Sequence, residues 1–182
     1  MAILYIVRHG RAAASFTDDV DPGLDDLGHE QARDASTKLI PHLPLVLKSS
    51  PLKRALETAA PLAAHTGQDV GIEGRFAEIP SPGLGLKERG SWLRTVMAGR
   101  WSEQSDDLQQ WRQALVDAML EISRDTVIFS HFVAINAAVG AASGDDRVLL
   151  FRPDNGSITR IEVQDNALRV LERGHEAETK VN

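Results

Sequence analysis

Two histidines, two arginines and three serines stand in three short blocks: Arg8-His9-Gly10, Ser49-Ser50-Pro51-Leu52-Lys53-Arg54 and Ser130-His131. These residue types suit one kind of chemistry when they converge. Arginine grips phosphate oxygens with a bidentate fork, and such charge-assisted bonds contribute roughly 1.5–3 kcal/mol each. An imidazole beside two guanidiniums is held neutral near pH 7, because nearby positive charge lowers its pKa. A neutral imidazole can attack phosphorus in line. The same cations stabilise the equatorial oxygens as charge shifts in the transition state. The leaving alkoxide then needs a proton, so a carboxyl group is expected opposite the nucleophile.

The flanking elements must bring the blocks together. Ile3-Leu4-Tyr5-Ile6-Val7 is a short apolar run rich in β-branched and aromatic residues, which reads as a strand buried on both faces of a parallel sheet. Thr126 to Ser130 reads the same way, and Leu43 to Leu47 reads as a third parallel strand, broken only by Pro44. Open α/β sheets bind ligands at the carboxyl ends of their strands. All three blocks fall at strand ends or at the starts of the following helices, so they share one edge. Ser50 is read as the N-cap and Pro51 as the first residue of a helix running to about His65, bent at Pro61. That places Arg54 in its first turn, where the helix dipole favours an anion.

The remaining chain completes an alternating pattern. Arg11 to Asp26 is a loop full of turn formers, and Asp25 caps a helix with Leu27, Gln31, Ala32, Ala35 and Leu39 at helical spacing, stopping before Pro41. Val70-Gly71-Ile72 suggests a short strand. Residues 75–103 are the least regular stretch, carrying Pro80, Pro82 and several glycines, with basic Lys87, Arg89, Arg94 and Arg100. They read as an excursion over the sheet edge that serves as a substrate lid. Leu108, Trp111, Leu115, Met119 and Ile122 mark an amphipathic helix, and alanine-rich 134–142 marks one packed close to the sheet. Ser157 to Val163 and Ala167 to Leu171 form a hairpin, and the polar tail from Arg173 is expected to fray. The expectation is one domain over 1–182: a three-layer α/β/α sandwich with a mostly parallel sheet.

Composition narrows the function. The 182 residues carry a net charge of -6 and no cysteine, which excludes disulfides, thiolate metal sites and a cysteine nucleophile. A net acidic chain is a poor match for nucleic-acid backbones. Mean hydropathy is -0.21, and no stretch approaches the roughly 20 apolar residues of a membrane span. The opening apolar run lacks a basic leader, so the expected compartment is the cytoplasm. Asn155-Gly156-Ser157 matches a glycosylation sequon but reads as a turn.

Several segments together resemble the histidine phosphatase superfamily, the phosphoglycerate-mutase-like fold. Val7-Arg8-His9-Gly10 resembles its Arg-His-Gly signature, and Leu24 to Ala32 its Leu-Thr-x-x-Gly-x-x-Gln-Ala segment. Ser49 to Ala59 resembles its Ser-Ser-Pro-x-x-Arg-Ala-x-x-Thr-Ala block, Phe129-Ser130-His131 its second-histidine motif, and Asn155-Gly156-Ser157-Ile158 its late Asn-x-Ser segment. The resemblance implies that His9 is a nucleophile that becomes phosphohistidine. It implies that Arg8, Arg54 and His131 bind the phosphoryl group and that Glu78 donates the proton, with Glu88 as its alternative. Ser15 falls where several members place a phosphate-contacting Asn. The resemblance implies no metal and no organic cofactor, and a phosphorylated small molecule as substrate.

Two departures matter. Arg11 follows Gly10 where the mutases of the family carry Glu, which favours hydrolysis over phosphoryl transfer between substrate hydroxyls. Phe132 follows His131 where many members have Gly, and it either narrows the pocket or packs on the substrate. A mutase of the same chemistry and a non-catalytic binder of phosphorylated ligands are the competing functions. For Arg8 an alternative role is a salt bridge to Glu57. His29, His42, His65 and His175 read as surface residues, Trp92, Trp101 and Trp111 as packing, and the lid's basic residues as largely solvated. No sequence feature specifies an oligomeric state.

Overall fold

The computed structural model describes residues 1–81 and 83–177. Its central strand, β1 (Ala2–Arg8), is apolar on both sides because both sides are covered. Leu4 and Ile6 face one core and Tyr5 and Val7 the other, the two-residue alternation of any strand. The first core is closed by α4 (Asp106–Leu120) and α5 (Phe132–Ser143), through Leu115, Met119, Ile135 and Val139. The second is closed by α1 (Asp26–Leu39) and α2 (Lys53–Thr66), through Ala35, Leu39, Ala55, Ala59 and Leu62. The result is the expected α/β/α sandwich.

The sheet also contains β2 (Val46–Ser49), β3 (Gly71–Ile72), β4 (Thr126–Ser130), β5 (Ile158–Gln164) and β6 (Ala167–Glu172), in the order β3-β2-β4-β1-β5-β6. The first four run parallel, and β5 and β6 form an antiparallel hairpin beside β1. Asp165 and Asn166 turn that hairpin with φ of 51° and 56°, the left-handed pair of a two-residue turn, where Asp and Asn are well tolerated. Register does the positioning. Arg8 lies opposite Ser130, and Ser49 opposite Phe129. His9, Ser50 and His131 are therefore the first residues past three adjacent strand ends. His9 N donates to Ser130 O at 3.0 Å and Ser50 N to Phe129 O at 3.0 Å.

Several local expectations are corrected. The third strand occupies Val46–Ser49 rather than Leu43–Leu47. Pairing with β4 and β3, not hydropathy, sets its limits, and Leu43-Pro44 forms the entry. The helix after Ser50 begins at Lys53, with Leu52 at the N-cap position. Ser50 Oγ does accept from Leu52 N, at 3.2 Å, but the exposed helix amide of Lys53 is met by Asp21, Oδ1 at 2.8 Å. Helix α5 starts at Phe132, directly after His131, two residues earlier than expected.

The excursion is more regular than its prolines and glycines suggest. It contains α3 (Leu86–Ala98), which buries Val96 and packs Trp92, Leu93 and Met97 against the first core. Trp101 is 1% exposed and stacks with Trp111 at 5.8 Å between ring centroids. Residues 173–177 of the tail are tied to the body: Asp154 N donates to His175 O and Ala177 N to Arg152 O. The expected fraying beyond 177 lies outside the described residues. Among the described residues, no helix is long and apolar enough to cross a membrane.

Candidate active site

At the carboxyl edge of the sheet is a cavity of about 330 Å³, walled by Arg8, His9, Arg54 and Glu78 among others. His9 is 8% exposed. Its Nδ1 lies 2.7 Å from Gly10 O. A carbonyl only accepts, so Nδ1 carries the proton and Nε2 keeps its lone pair. Arg54 Nε donates to that Nε2 at 3.2 Å. Burial first, then the charges of Arg54 and Arg8, lower the His9 pKa to about 3. The imidazole is neutral across the physiological range.

His131 is fully buried, with its ring centroid 5.2 Å from that of His9. Its Nε2 lies 2.8 Å from Ser50 Oγ, while Nδ1 has no hydrogen-bond partner. Burial, followed by the neighbouring His9 and the two arginines, holds it well below the ordinary imidazole value. Arg8 donates from Nη1 to Pro153 O at 2.8 Å, leaves Nε unpartnered, and sits 5.0 Å above the Phe132 ring centroid. Phe132 thus lines the cavity and packs its ring against the Arg8 guanidinium. The expected alternative partner of Arg8, Glu57, lies elsewhere: it accepts from Leu24 N at 2.6 Å. Arg54 is 7% exposed and has Asp21 Oδ1 3.8 Å from Nη1.

Glu78 reaches the cavity from the loop after β3. Its Oε1 accepts from Ile79 N and Ala134 N, at 3.0 and 3.2 Å, and its Oε2 from Val133 N at 3.1 Å. Two of these amides belong to the first turn of α5, whose orphan donors attract a carboxylate. Burial nevertheless dominates and raises the Glu78 pKa above its ordinary value, against the pull of those amides and of Arg54. Oε2 accepts one protein bond where Oε1 accepts two, so it is the oxygen with room for a proton. The alternative acid, Glu88, is instead spent on its own helix start, accepting from Gly85 N at 2.9 Å.

The outer residues sort differently. Ser15 lines the cavity, but its hydroxyl bonds Thr17 and Asp18. Arg11 also lines it, with Nε donating to Asp25 Oδ2 at 2.5 Å. Lys87, Arg89, Arg94 and Arg100 are not among its walls; Arg89 lies over the Phe16 ring at 5.1 Å. Three supporting residues escaped the sequence reading. Asn155 Nδ2 donates to His9 O at 2.9 Å, Thr58 Oγ1 accepts from Gly10 N at 3.0 Å, and Asp21 both meets the start of α2 and approaches Arg54. Asn155 lay within the turn already noted at 155–157. Thr58 is the threonine of the Ser49–Ala59 block, with no role attached to it there, and Asp21 carried no signal of its own. Among the described residues no group of three or more His, Asp or Glu could hold a metal ion.

Gly10 has its own packing requirement. A Cβ there would stand 2.3 Å from Gly28 O, and a Cβ on Gly28 would stand 2.1 Å from Arg11 O. The two backbones touch, and no side chain can retreat to make room. Gly10→Ala should therefore cost about 1–3 kcal/mol of stability, as overpacking does, read as a lowered urea midpoint with unchanged slope. An unchanged midpoint would show that the contact is not tight.

Two imidazoles and two guanidiniums thus gather at one sheet edge, and the half-buried carboxyl of Glu78 lines the same cavity. The chain belongs to the histidine phosphatase superfamily: residues 4–175 match the profile of its branch 1. It is 40% identical over 79 residues to a glucosyl-3-phosphoglycerate phosphatase of Mycolicibacterium vanbaalenii, a match spanning 41% of this chain and 35% of that protein. It is 27% identical to a 2,3-bisphosphoglycerate-dependent phosphoglycerate mutase of Thermoplasma acidophilum, over 94% of this chain and 92% of that one. In structure it is similar to a mycobacterial glucosyl-3-phosphoglycerate phosphatase, with a TM-score of 0.78 at 21% identity, covering 97% of this chain and 100% of that one.

Proposed function

We propose that the chain is a phosphomonoester hydrolase that works through a phosphohistidine at His9. One observation carries the reading: Nδ1 of His9 is committed as a donor to Gly10 O, which leaves a neutral Nε2 lone pair beside two guanidiniums. In the first step Nε2 bonds to phosphorus as the P–O bond to the leaving alcohol breaks. Glu78 Oε2 gives its proton to the departing oxygen, so a neutral alcohol leaves. Arg8 and Arg54 hold the equatorial oxygens, and a phosphoryl oxygen meets the orphaned Nδ1 of His131, which donates to it when Ser50 Oγ donates to Nε2. In the second step water attacks phosphorus, the P–N bond breaks, and the Glu78 carboxylate takes the proton from water. Phosphate leaves and the resting state returns.

The reading treats 1–182 as one domain with 75–103 as its lid, since Leu93 and Met97 of α3 form part of the cavity wall. Ser15 is at most a secondary ligand here, because a phosphate would have to draw its hydroxyl away from Thr17 and Asp18. A cavity of about 330 Å³ fits a small molecule. A cytoplasmic setting is consistent with a chain free of cysteine. The mutase named among the relatives marks the competing fate, transfer to a second hydroxyl. Arg11, tied to Asp25 at the cavity mouth, favours water as the acceptor.

The test is direct. Brief exposure to a 32P-labelled phosphomonoester, followed by alkaline quench, should leave label that is stable in alkali, labile in acid and mapped to His9. Label on another residue, or none during measurable turnover, would overturn the proposal. Release of phosphate at an unchanged rate in excess glycerate would exclude the mutase.

A further inference from the structure

Beside the phosphoryl-binding groups, most of the cavity wall is of another kind. Leu93 and Met97 stand one helical turn apart on α3, Phe132 and Val133 open α5, and Phe16 and Pro22 come from the loop before α1. From the geometry we infer that the alcohol part of the substrate is an apolar or aromatic body, not a sugar, a glycerate or a second phosphate. The inference rests on the hydrolase reading and names its substrate class.

Three observations support it. First, the basic residues of the excursion, which could have cradled a second anion, stay off the wall, and Arg89 is instead laid against the back of Phe16. Second, two polar side chains of the wall already have partners: Arg11 donates from Nε to Asp25 and otherwise stands 57% exposed, and the Ser15 hydroxyl bonds Thr17 and Asp18. A polyhydroxylated body entering here would surrender its water and find too few partners in return, which disfavours binding. Third, Asn155, the remaining amide in the wall, is committed through Nδ2 to His9 O. An apolar body loses nothing of this kind and gains by leaving water. Phe132 has a double place: its ring carries Arg8 at 5.0 Å and it also lines the space next to the phosphoryl end.

The experiment compares primary-alkyl monoesters, so that every leaving alkoxide needs the same proton. We expect kcat/KM for 2-phenylethyl phosphate to exceed that for glycerol 3-phosphate, 3-phosphoglycerate and glucose 6-phosphate by at least about 30-fold, chiefly through a lower KM. In Leu93→Asn and Met97→Asn, both half-buried positions on α3, that preference should shrink about ten-fold. Equal or greater kcat/KM for glycerol 3-phosphate or 3-phosphoglycerate, with phospho-His9 still formed, overturns the inference and leaves the hydrolase reading standing. No phosphoenzyme from any of the four esters overturns both.

Discussion

The His9→Ala protein should keep its fold and lose phosphomonoester turnover by at least about 10⁴-fold, because the bond-forming atom itself is gone. The lost atoms are the Nε2 lone pair and the Nδ1 anchor on Gly10 O. Arg8 and His131 stay in place, since neither depends on His9 for its main support, while Arg54 loses its Nε bond to His9 Nε2 and keeps Asp21 Oδ1 at 3.8 Å from Nη1. Arg8 is held by Pro153 O and Phe132, and His131 by Ser50. Inorganic phosphate should therefore still bind, within about ten-fold of the parent. The informative pattern is binding retained with chemistry lost. Turnover above about one part in 10³ in a preparation free of other phosphatases would mean that water attacks without a covalent stage.

Glu78→Gln is expected to have the second largest effect, and the effect should depend on the leaving group. For an alkyl phosphate, kcat should fall about 10²–10³-fold, the usual contribution of a placed general acid. For p-nitrophenyl phosphate, whose leaving group needs little protonation, it should fall less than about ten-fold. A purely structural Glu78 would depress both equally, because it would act by loosening Val133, Ala134 and Ile79 at the start of α5 and beside the site. The pH profile gives a second readout. The acid must be protonated and the nucleophile neutral. Burial raises the Glu78 pKa, so the alkaline limb for alkyl substrates lies above the ordinary carboxylate range, and activity falls as pH rises through it. His9 is held at about 3, so it contributes no acidic limb until pH approaches that value. The alkaline limb should vanish in Glu78→Gln while the parent keeps it.

The site's charged groups explain why most of it could be read without coordinates. An apolar five-residue run followed at once by Arg8-His9-Gly10 leaves few arrangements, because a guanidinium and an imidazole fit a buried strand only at its end, where a cavity meets them. The same holds for Val127-Ile128-Phe129 before Ser130-His131. Once both are strands of one parallel sheet, their ends share an edge, and Arg8 and His131 meet although more than a hundred residues separate them. The start of α2 was less legible. Ser50-Pro51 is a good capping pair, yet Ser50 Oγ also faces His131 Nε2, a demand that appears only when β4 lies beside β2. The helix begins two residues later than Pro51, and Asp21 meets it from another loop.

By itself the sequence determined the layer order, the shared sheet edge of Arg8, His9, Arg54 and His131 and the absence of thiol chemistry, because these follow from strand periodicity, residue type and composition. The tertiary structure decided the rest. It chose Nε2 over Nδ1 as the free nitrogen of His9, since that depends on the direction of the Gly10 carbonyl. It turned Glu78 from a loop carboxylate into a half-buried one with a raised pKa, since that depends on the start of α5 packing against it. It also made the 75–103 excursion, basic in sequence, contribute Leu93 and Met97 to the cavity wall. Leu93 and Met97 point inward on α3 while the arginines around them turn away, because a helix carries two opposite faces and only packing selects the one that meets the cavity.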